Sequence, residues 1–318
     1  MTWEDVLLET AADLDALPDA VDRLFARSQA SWPLWREGHE ALAGVHQKTL
    51  GSGAERIIVQ HNPARRRSVH AVVDPAAIAA RPCFLCPGSF PEGETGVAWR
   101  DLALLPNPFP IVARHLTIPT LEHQPQALAG RAQELVELAQ ALGESMVVLY
   151  NGPRCGASAP DHFHFQAGAA DTLPALEVAA AHAHDGALAG ITSVGRRFAV
   201  LYDTDAAALG ERIEYALGAW GRVHAHSEGE PMCNVVVHWQ GSRGRALFFP
   251  RRAHRPYAFF AEPSERIGVS PAALEMAGIL VVSDHDSFER LDDRAARTVY
   301  ADVSPTAPEF VAFMEKVR

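Results

Sequence analysis

Residues 151–168 read NGPRCGASAPDHFHFQAG, and the end of that stretch decides the fold. His162, Phe163, His164, Phe165 and Gln166 alternate polar with aromatic side chains. In an extended chain successive side chains point to opposite faces, so His162, His164 and Gln166 are expected on one face, with both phenylalanines anchored in a core behind them. Two imidazoles and a carboxamide on one side are a poor way to build a simple core strand. Just upstream, Gly156-Ala157-Ser158 offers a flexible turn and a hydroxyl suited to close approach of phosphate oxygens. Before that, the apolar run Met146–Tyr150 reads as a short strand broken by Asn151-Gly152-Pro153.

Working outward, Gln126–Gly143 carries apolar residues at Leu128, Ala132, Leu135, Leu138 and Leu142, the spacing of an amphipathic helix, and Gly143 suits a left-handed C-cap. Asp101–Leu105, His115–Pro119, Arg56–Gln60 and Ser68–Val73 read as strands. The last two flank a basic turn, Asn62-Pro63-Ala64-Arg65-Arg66-Arg67. Residues 1–48 read as largely helical, with Pro18 interrupting the run and a second helical stretch from Trp35 to Leu50. The later half repeats the alternation loosely. Arg197–Tyr202 is a strand and Ala206–Val223 a helix, while Asn234–Trp239 and Arg245–Pro250 form a hairpin through Gly241–Gly244. A helix is expected after Ser270-Pro271, with serine as N-cap and proline at the first helical position. Interleaved helices and hairpins favour an α+β fold over a purely parallel sheet.

Composition narrows the function. Among 318 residues, 39 acidic side chains against 28 Lys and Arg leave a net charge of −11, which argues against nucleic acid or an anionic membrane as partner. No run of about 18 apolar residues is present, and the acidic start lacks the basic and apolar regions of a secretory signal, so a cytoplasmic protein is expected. Four cysteines are too few for a disulfide scaffold, and Cys83 and Cys86, spaced C-x-x-C, read as metal or redox chemistry.

The run GASAPDHFHFQ (156–166) resembles the active-site strand of the histidine-triad (HIT-like) superfamily, in its transferase branch with H-x-H-x-Q. That branch includes galactose-1-phosphate uridylyltransferases, diadenosine tetraphosphate phosphorylases and GDP-hexose phosphorylases. NPFPIVARHLTIPTLEH (107–123) is similar to the strand–strand–P-x-x-H region of the family, and QHNPARRRS (60–68) to its Asn-Pro and arginine nucleotide-binding loop. FFPRRAHRP (248–256) and VSPAALEMAG (269–278) look like the second half of a bacterial branch. The resemblance spans roughly residues 55–290. It implies a HIT-like antiparallel sheet with packed helices in two pseudo-repeated halves: a helical extension over 1–50, a catalytic half over 51–175 and a degenerate second half over 176–318.

The resemblance makes His164 the nucleophile, attacking the α-phosphorus of a nucleotide ester to give a covalent nucleotidyl-imidazole. An imidazole with an ordinary pKa near 6.5 is mostly unprotonated at neutral pH and able to attack. Gln166 stands where the hydrolase branch has a third histidine. A carboxamide hydrogen-bonds a phosphoryl oxygen at any pH but shuttles no proton, which suits transfer to a phosphate better than hydrolysis. Asn151, Gly156 and Ser158 would contact the phosphates, Asn62, Arg65 and Arg66 would grip a di- or triphosphate, and Asn107 would line the base or ribose pocket. Arg251 and Arg255 would bind a sugar phosphate or orthophosphate, or make internal ion pairs. By family pattern Cys83, Cys86, His123 and His162 form a structural Zn2+ site; Pro119 and His123 stand one residue further apart than usual, so His115 is a rival ligand. The expected function is a phosphorylase acting on a nucleoside diphosphate sugar with orthophosphate, as a homodimer. The alternatives are a dinucleoside polyphosphate phosphorylase and a non-catalytic nucleotide-binding module.

Overall fold

A computed structural model describes residues 1–65, 76, 78, 80–182, 187–224 and 229–318. Arg66, Arg67 and the strand expected over Ser68–Val73 lie outside the described residues. Thirteen strands are present among the described residues: β1 (Leu7–Thr10), β2 (His46–Leu50), β3 (Ile57–His61), β4 (Gly96–Trp99), β5 (Leu102–Pro106), β6 (Leu116–Pro119), β7 (Met146–Asn151), β8 (His164–Ala169), β9 (Leu188–Ser193), β10 (Arg196–Asp203), β11 (Cys233–Gln240), β12 (Arg243–Pro250) and β13 (Ile279–Val282). The helices are α1 (Trp3–Val6), α2 (Leu17–Ser31), α3 (Pro33–Ala43), α4 (Ala132–Leu142), α5 (Pro174–Ala181), α6 (Ala206–Val223), α7 (Ala273–Met276), α8 (His285–Arg290), α9 (Asp293–Val303) and α10 (Ala307–Val317).

Ten strands form one sheet in the order β1-β4-β5-β6-β8-β7-β11-β12-β10-β9, antiparallel except for the β1–β4 pair. The order has an internal symmetry. From the β7–β11 seam it runs β7-β8-β6-β5 in one direction and β11-β12-β10-β9 in the other. In the chain each set is strand, strand, helix, strand, strand: β5, β6, α4, β7, β8 and then β9, β10, α6, β11, β12. Both halves thus fold alike and join edge to edge, which leaves neither with an open edge at the seam.

Strand alternation sorts the core into two layers. Phe163, Phe165 and Ala167 pack with Leu135, Leu138, Trp220 and Phe313 on the face covered by α2, α4, α6 and α10. Val147, Leu149, Val236 and Phe249 face the other way, toward α5, α7, α9 and a three-stranded sheet, β13-β3-β2. In that small sheet β3 pairs in parallel with β13 and antiparallel with β2. Gln166 lies on this second face, so the small sheet and the segment before α7 enclose the chemistry-bearing side of β8. Among the described residues no helix is long and apolar enough to cross a membrane.

Several local expectations are corrected. Leu7–Thr10 is a strand, and its parallel pairing with β4 builds the start of the chain into the large sheet. Pro18 sits in the first turn of α2, where its missing N–H costs nothing, and does not interrupt it. The end of the expected Trp35–Leu50 helix is strand β2. The helix expected from Gln126 begins only at Ala132: Gly130 adopts φ +82°, and the Gln126 side chain is committed to the strands beside it. Ser270 is not an N-cap, because the helix that follows is only Ala273–Met276, capped at Ala272 with the Glu275 carboxylate accepting the Ala272 N–H at 2.9 Å.

Candidate active site and metal centre

His164 opens β8 and is 4% exposed. Its Nδ1 lies 2.8 Å from the His162 carbonyl, which can only accept, so Nδ1 carries the proton and Nε2 keeps a lone pair. Nε2 has no hydrogen-bond partner among the described residues. Burial pushes the pKa of this ring down to about 4, so the imidazole is neutral and nucleophilic at pH 7. The backbone is clamped as firmly as the ring. Gln126, missed by the sequence reading, accepts the His164 N–H at 2.7 Å and donates to the carbonyls of Asn151 (2.9 Å) and His164 (3.0 Å). Replacing Gln126 by alanine would strand one donor and two acceptors in the interior. We expect a stability loss of about 2–4 kcal/mol, read by denaturant unfolding, because each unmet buried group costs about 1–3 kcal/mol.

Two carboxamides flank His164, and both have their oxygens occupied. His115 Nδ1 accepts the Ile111 N–H at 3.3 Å, so its Nε2 carries the proton and donates to Gln166 Oε1 at 3.1 Å. Full burial, helped by the nearby Arg65 cation, pushes His115 down to about 3, which keeps this ring neutral. Asn151 Oδ1 accepts from Asn234 Nδ2 (2.9 Å) and from the Ala273 N–H (2.8 Å). These networks fix the amide orientation. With their oxygens engaged, the NH2 groups of Gln166 and Asn151 remain as donors, suited to phosphoryl oxygens.

Both carboxamides line a small, partly open cavity, together with Arg65, Gly156, Ser158, His254, Arg255, Ser270 and Glu275. Gly156 adopts φ +114°, and a Cβ there would lie 2.4 Å from the Ala272 Cβ, so only glycine permits this approach of the turn to the segment before α7. Glu275 is buried and its pKa raised by burial, which favours the uncharged form beside the anion donors. Arg65 donates to the Phe109 carbonyl at 2.8 Å and lines the cavity from the end of β3.

Other expected ligand residues do not reach the cavity. Asn62 donates to the Pro110 carbonyl at 3.3 Å, clipping β3 to the β5–β6 loop. Asn107 spends its amide on Thr117 Oγ1 (3.1 Å) and its oxygen on the Phe109 N–H (2.8 Å), closing that loop on itself. Arg251 is fully buried and is neither a phosphate ligand nor an ion-pair partner here. Its guanidinium donates to Asn234 Oδ1 and to the carbonyls of Pro271 (2.8 Å), Ala253 (3.1 Å), His254 (3.0 Å) and Val303 (3.3 Å). A charge taken from water survives only where every donor is met, and that is its state.

His162 departs from the face-sharing expected of it. The strand starts two residues later, and a bend at His162 turns its ring toward the cysteines. Its Nε2 donates to the Thr120 carbonyl at 2.8 Å, which leaves Nδ1 as the lone-pair atom, 3.3 Å from Cys83 Sγ and 3.5 Å from Cys86 Sγ. His123 Nδ1 lies 3.5 Å from Cys86 Sγ, and its Nε2 is 3.8 Å from the Asp161 carboxylate. Donor atoms of Cys83, Cys86, His123 and His162 all lie within 4.8 Å of one another. Tetrahedral zinc bonds of 2.0–2.3 Å place neighbouring S and N ligands about 3.6 Å apart, so this donor set fits such an ion. The extra residue between Pro119 and His123 does not displace the ligand; His115 belongs to the Gln166 pair.

A family model described as a domain of unknown function (DUF4922) matches residues 24–169, less than half the chain but including the four-ligand cluster and the His164–Gln166 strand. No curated protein sequence matches the chain. Three crystal structures of yeast Ap4A phosphorylase Apa2 resemble it, each at 16% identity. One has a TM-score of 0.52 and covers 86% of this chain and 96% of that one. The complex with AMP has a TM-score of 0.59 with coverages of 91% and 97%. The complex with Ap4A has a TM-score of 0.55 with coverages of 90% and 96%. The likeness is one of fold. It extends over most of the chain, both halves included.

Proposed function

We propose that the chain is a nucleotidyltransferase of the phosphorylase type, and that its donor is a dinucleoside polyphosphate. In this reading residues 51–175 carry the reaction and 176–318 wall the pocket. His164 Nε2 attacks the α-phosphorus; the N–P bond forms, the bridging P–O bond breaks, and the remaining nucleoside polyphosphate leaves. Orthophosphate then attacks the same phosphorus, breaking the N–P bond and releasing a nucleoside diphosphate. A four-phosphate donor thus yields a nucleoside triphosphate and then a diphosphate. The NH2 groups of Asn151 and Gln166 hold the non-bridging oxygens, where charge grows in both transition states. Neither step needs Gln166 to move a proton.

One observation carries this reading: a neutral imidazole whose Nδ1–H is fixed on the His162 carbonyl, leaving Nε2 without a hydrogen-bond partner among the described residues. The Apa2 likeness, including complexes with AMP and with Ap4A, supports the dinucleoside polyphosphate over a nucleoside diphosphate sugar. Cys83, Cys86, His123 and His162 would hold zinc, which supplies a structural link between the 83–86 loop and the start of β8. The test is a panel of diadenosine tetraphosphate and ADP-, GDP- and UDP-hexoses, each with and without orthophosphate. We expect phosphate-dependent conversion of the tetraphosphate to ADP and ATP, at least tenfold faster than any nucleotide sugar. Faster turnover of a hexose derivative would return the donor to the sugar class, and products that form equally well without phosphate would make the protein a hydrolase.

A further inference from the structure

The wall of the cavity supplied by the second half carries its own cluster of anion-binding groups. Arg255 Nε donates to Ser270 Oγ at 3.1 Å, and His254 Nε2 lies 3.2 Å from the same oxygen. All three residues line the cavity that holds Asn151, Gly156, Ser158 and Gln166. We propose that His254, Arg255 and Ser270 form the subsite for the incoming phosphate dianion, the acceptor of the second displacement. The assignment rests on the nucleotidyl-transfer reading for its role, although the anion site itself does not.

The construction of the wall supports a preformed site. Arg251 donates to the carbonyls of Ala253 and His254 on one side and of Pro271 on the other, so one buried guanidinium ties the two strands of chain that carry the cluster. Its further bond to Asn234 Oδ1 links them, through Asn234 and Asn151, to the floor beside His164. Arg255 lies over the Phe259 ring at 4.2 Å, and the Arg266 guanidinium approaches the same ring at 4.9 Å. Burial, with Arg266 nearby, draws the Arg255 pKa below its ordinary value. Burial and the cations Arg255 and Arg251 also push His254 down to about 4, so at neutral pH it is an uncharged ring able to donate one hydrogen bond. Arg65 lines the same cavity as Arg255, and two guanidinium groups beside serine hydroxyls and amide donors suit an anion. Glu275, the carboxyl on the same cavity, has one oxygen held by the Ala272 N–H at 2.9 Å, and burial raises its pKa. The failure of Ser270 to cap a helix now has a reason: its hydroxyl is turned to Arg255 and His254.

A phosphate dianion can arrive as orthophosphate or as a sugar phosphate, and the experiment separates the two. Labelled nucleotidyl-enzyme is isolated and chased with increasing orthophosphate or hexose 1-phosphate, for the natural chain and for Arg255→Gln, Arg255→Lys and Ser270→Ala. We expect release by orthophosphate, with the half-saturating concentration raised at least tenfold by Arg255→Gln and less by Arg255→Lys and Ser270→Ala. Stronger release by the sugar phosphate would overturn orthophosphate as the acceptor. Calorimetric titration of the unlabelled protein with inorganic phosphate gives a readout independent of turnover. Phosphate binding that Arg255→Gln weakens, in a protein that never becomes labelled, would uphold the anion site and overturn the transfer reading. A labelled enzyme whose phosphate dependence is the same in all four proteins, each shown folded by its melting temperature, would overturn the subsite and leave the transfer reading standing.

Discussion

Alanine at position 164 is expected to abolish covalent labelling by α-labelled diadenosine tetraphosphate and to lower phosphorolysis by at least about 10³-fold, while the melting temperature moves by only a few degrees. The wild-type label should be acid-labile and alkali-stable, as a phosphorus–nitrogen bond is. The size of the effect follows from the geometry. His164 Nδ1 is spent on the His162 carbonyl, so Nε2 is the one ring atom able to attack. Neither flanking amide can replace it, since the amide nitrogens of Asn151 and Gln166 have no available lone pair. The modest stability cost follows from the same contacts: the clamp on this segment runs through Gln126 and the backbone of residue 164, not through its ring. His164→Ala protein that still forms labelled enzyme, or that keeps wild-type turnover, would remove the nucleophile from the reading altogether.

How much of this was legible beforehand differs by kind of feature. Long periodic elements were readable, because their burial pattern is written locally: Ala206–Val223 is a helix over the residues expected, with Asp205 accepting the Ala208 N–H as N-cap. So were the hairpin strands β11 and β12. That Cys83, Cys86, His123 and His162 meet was expected from the family resemblance; from spacing alone only the two cysteines stood out. Short elements set by distant partners were not readable. Leu7–Thr10 is extended only because β4 offers it an edge, and nothing within four residues says so. Gln126 looked like the start of a helix, yet its role depends on carbonyls 25 and 38 residues away. His115 looked like a metal ligand because ligand type was visible and direction was not. The Ile111 N–H that fixes its tautomer, and the Gln166 oxygen it serves, come together only through the β6–β8 pairing. Arg251 and Arg255 were indistinguishable as residue types; burial gives one five internal acceptors and the other a cavity.

Loss of the Cys83–Cys86–His123–His162 cluster should be the second large effect, and it acts by a different route. His162 is held at three points: Nδ1 at the cysteines, Nε2 on the Thr120 carbonyl, and its own carbonyl on His164 Nδ1. Without an ion, Cys83 is a half-buried thiol whose pKa is pushed up to about 12, chiefly by burial, so the sulfur has little reason to stay where it is. A bound cation reverses that preference, making thiolate the favoured form and fixing His162 through its ring. Cys83→Ser is therefore expected to lose stoichiometric zinc by elemental analysis and to cost at least about 3 kcal/mol, a fall in Tm of at least about 4–5 °C for a chain of this size. Chelator treatment of the natural chain should reproduce the fall. The rate of nucleotidyl-enzyme formation should drop as well, because a shifted His162 carbonyl releases the ring that attacks, and effective attack depends on alignment within a fraction of an ångström. The two substitutions thus separate: His164→Ala keeps metal and melting temperature but forms no covalent enzyme, whereas Cys83→Ser loses metal and stability and labels slowly. Cys83→Ser protein with full metal content and an unchanged melting temperature would show that the four side chains meet for some reason other than an ion.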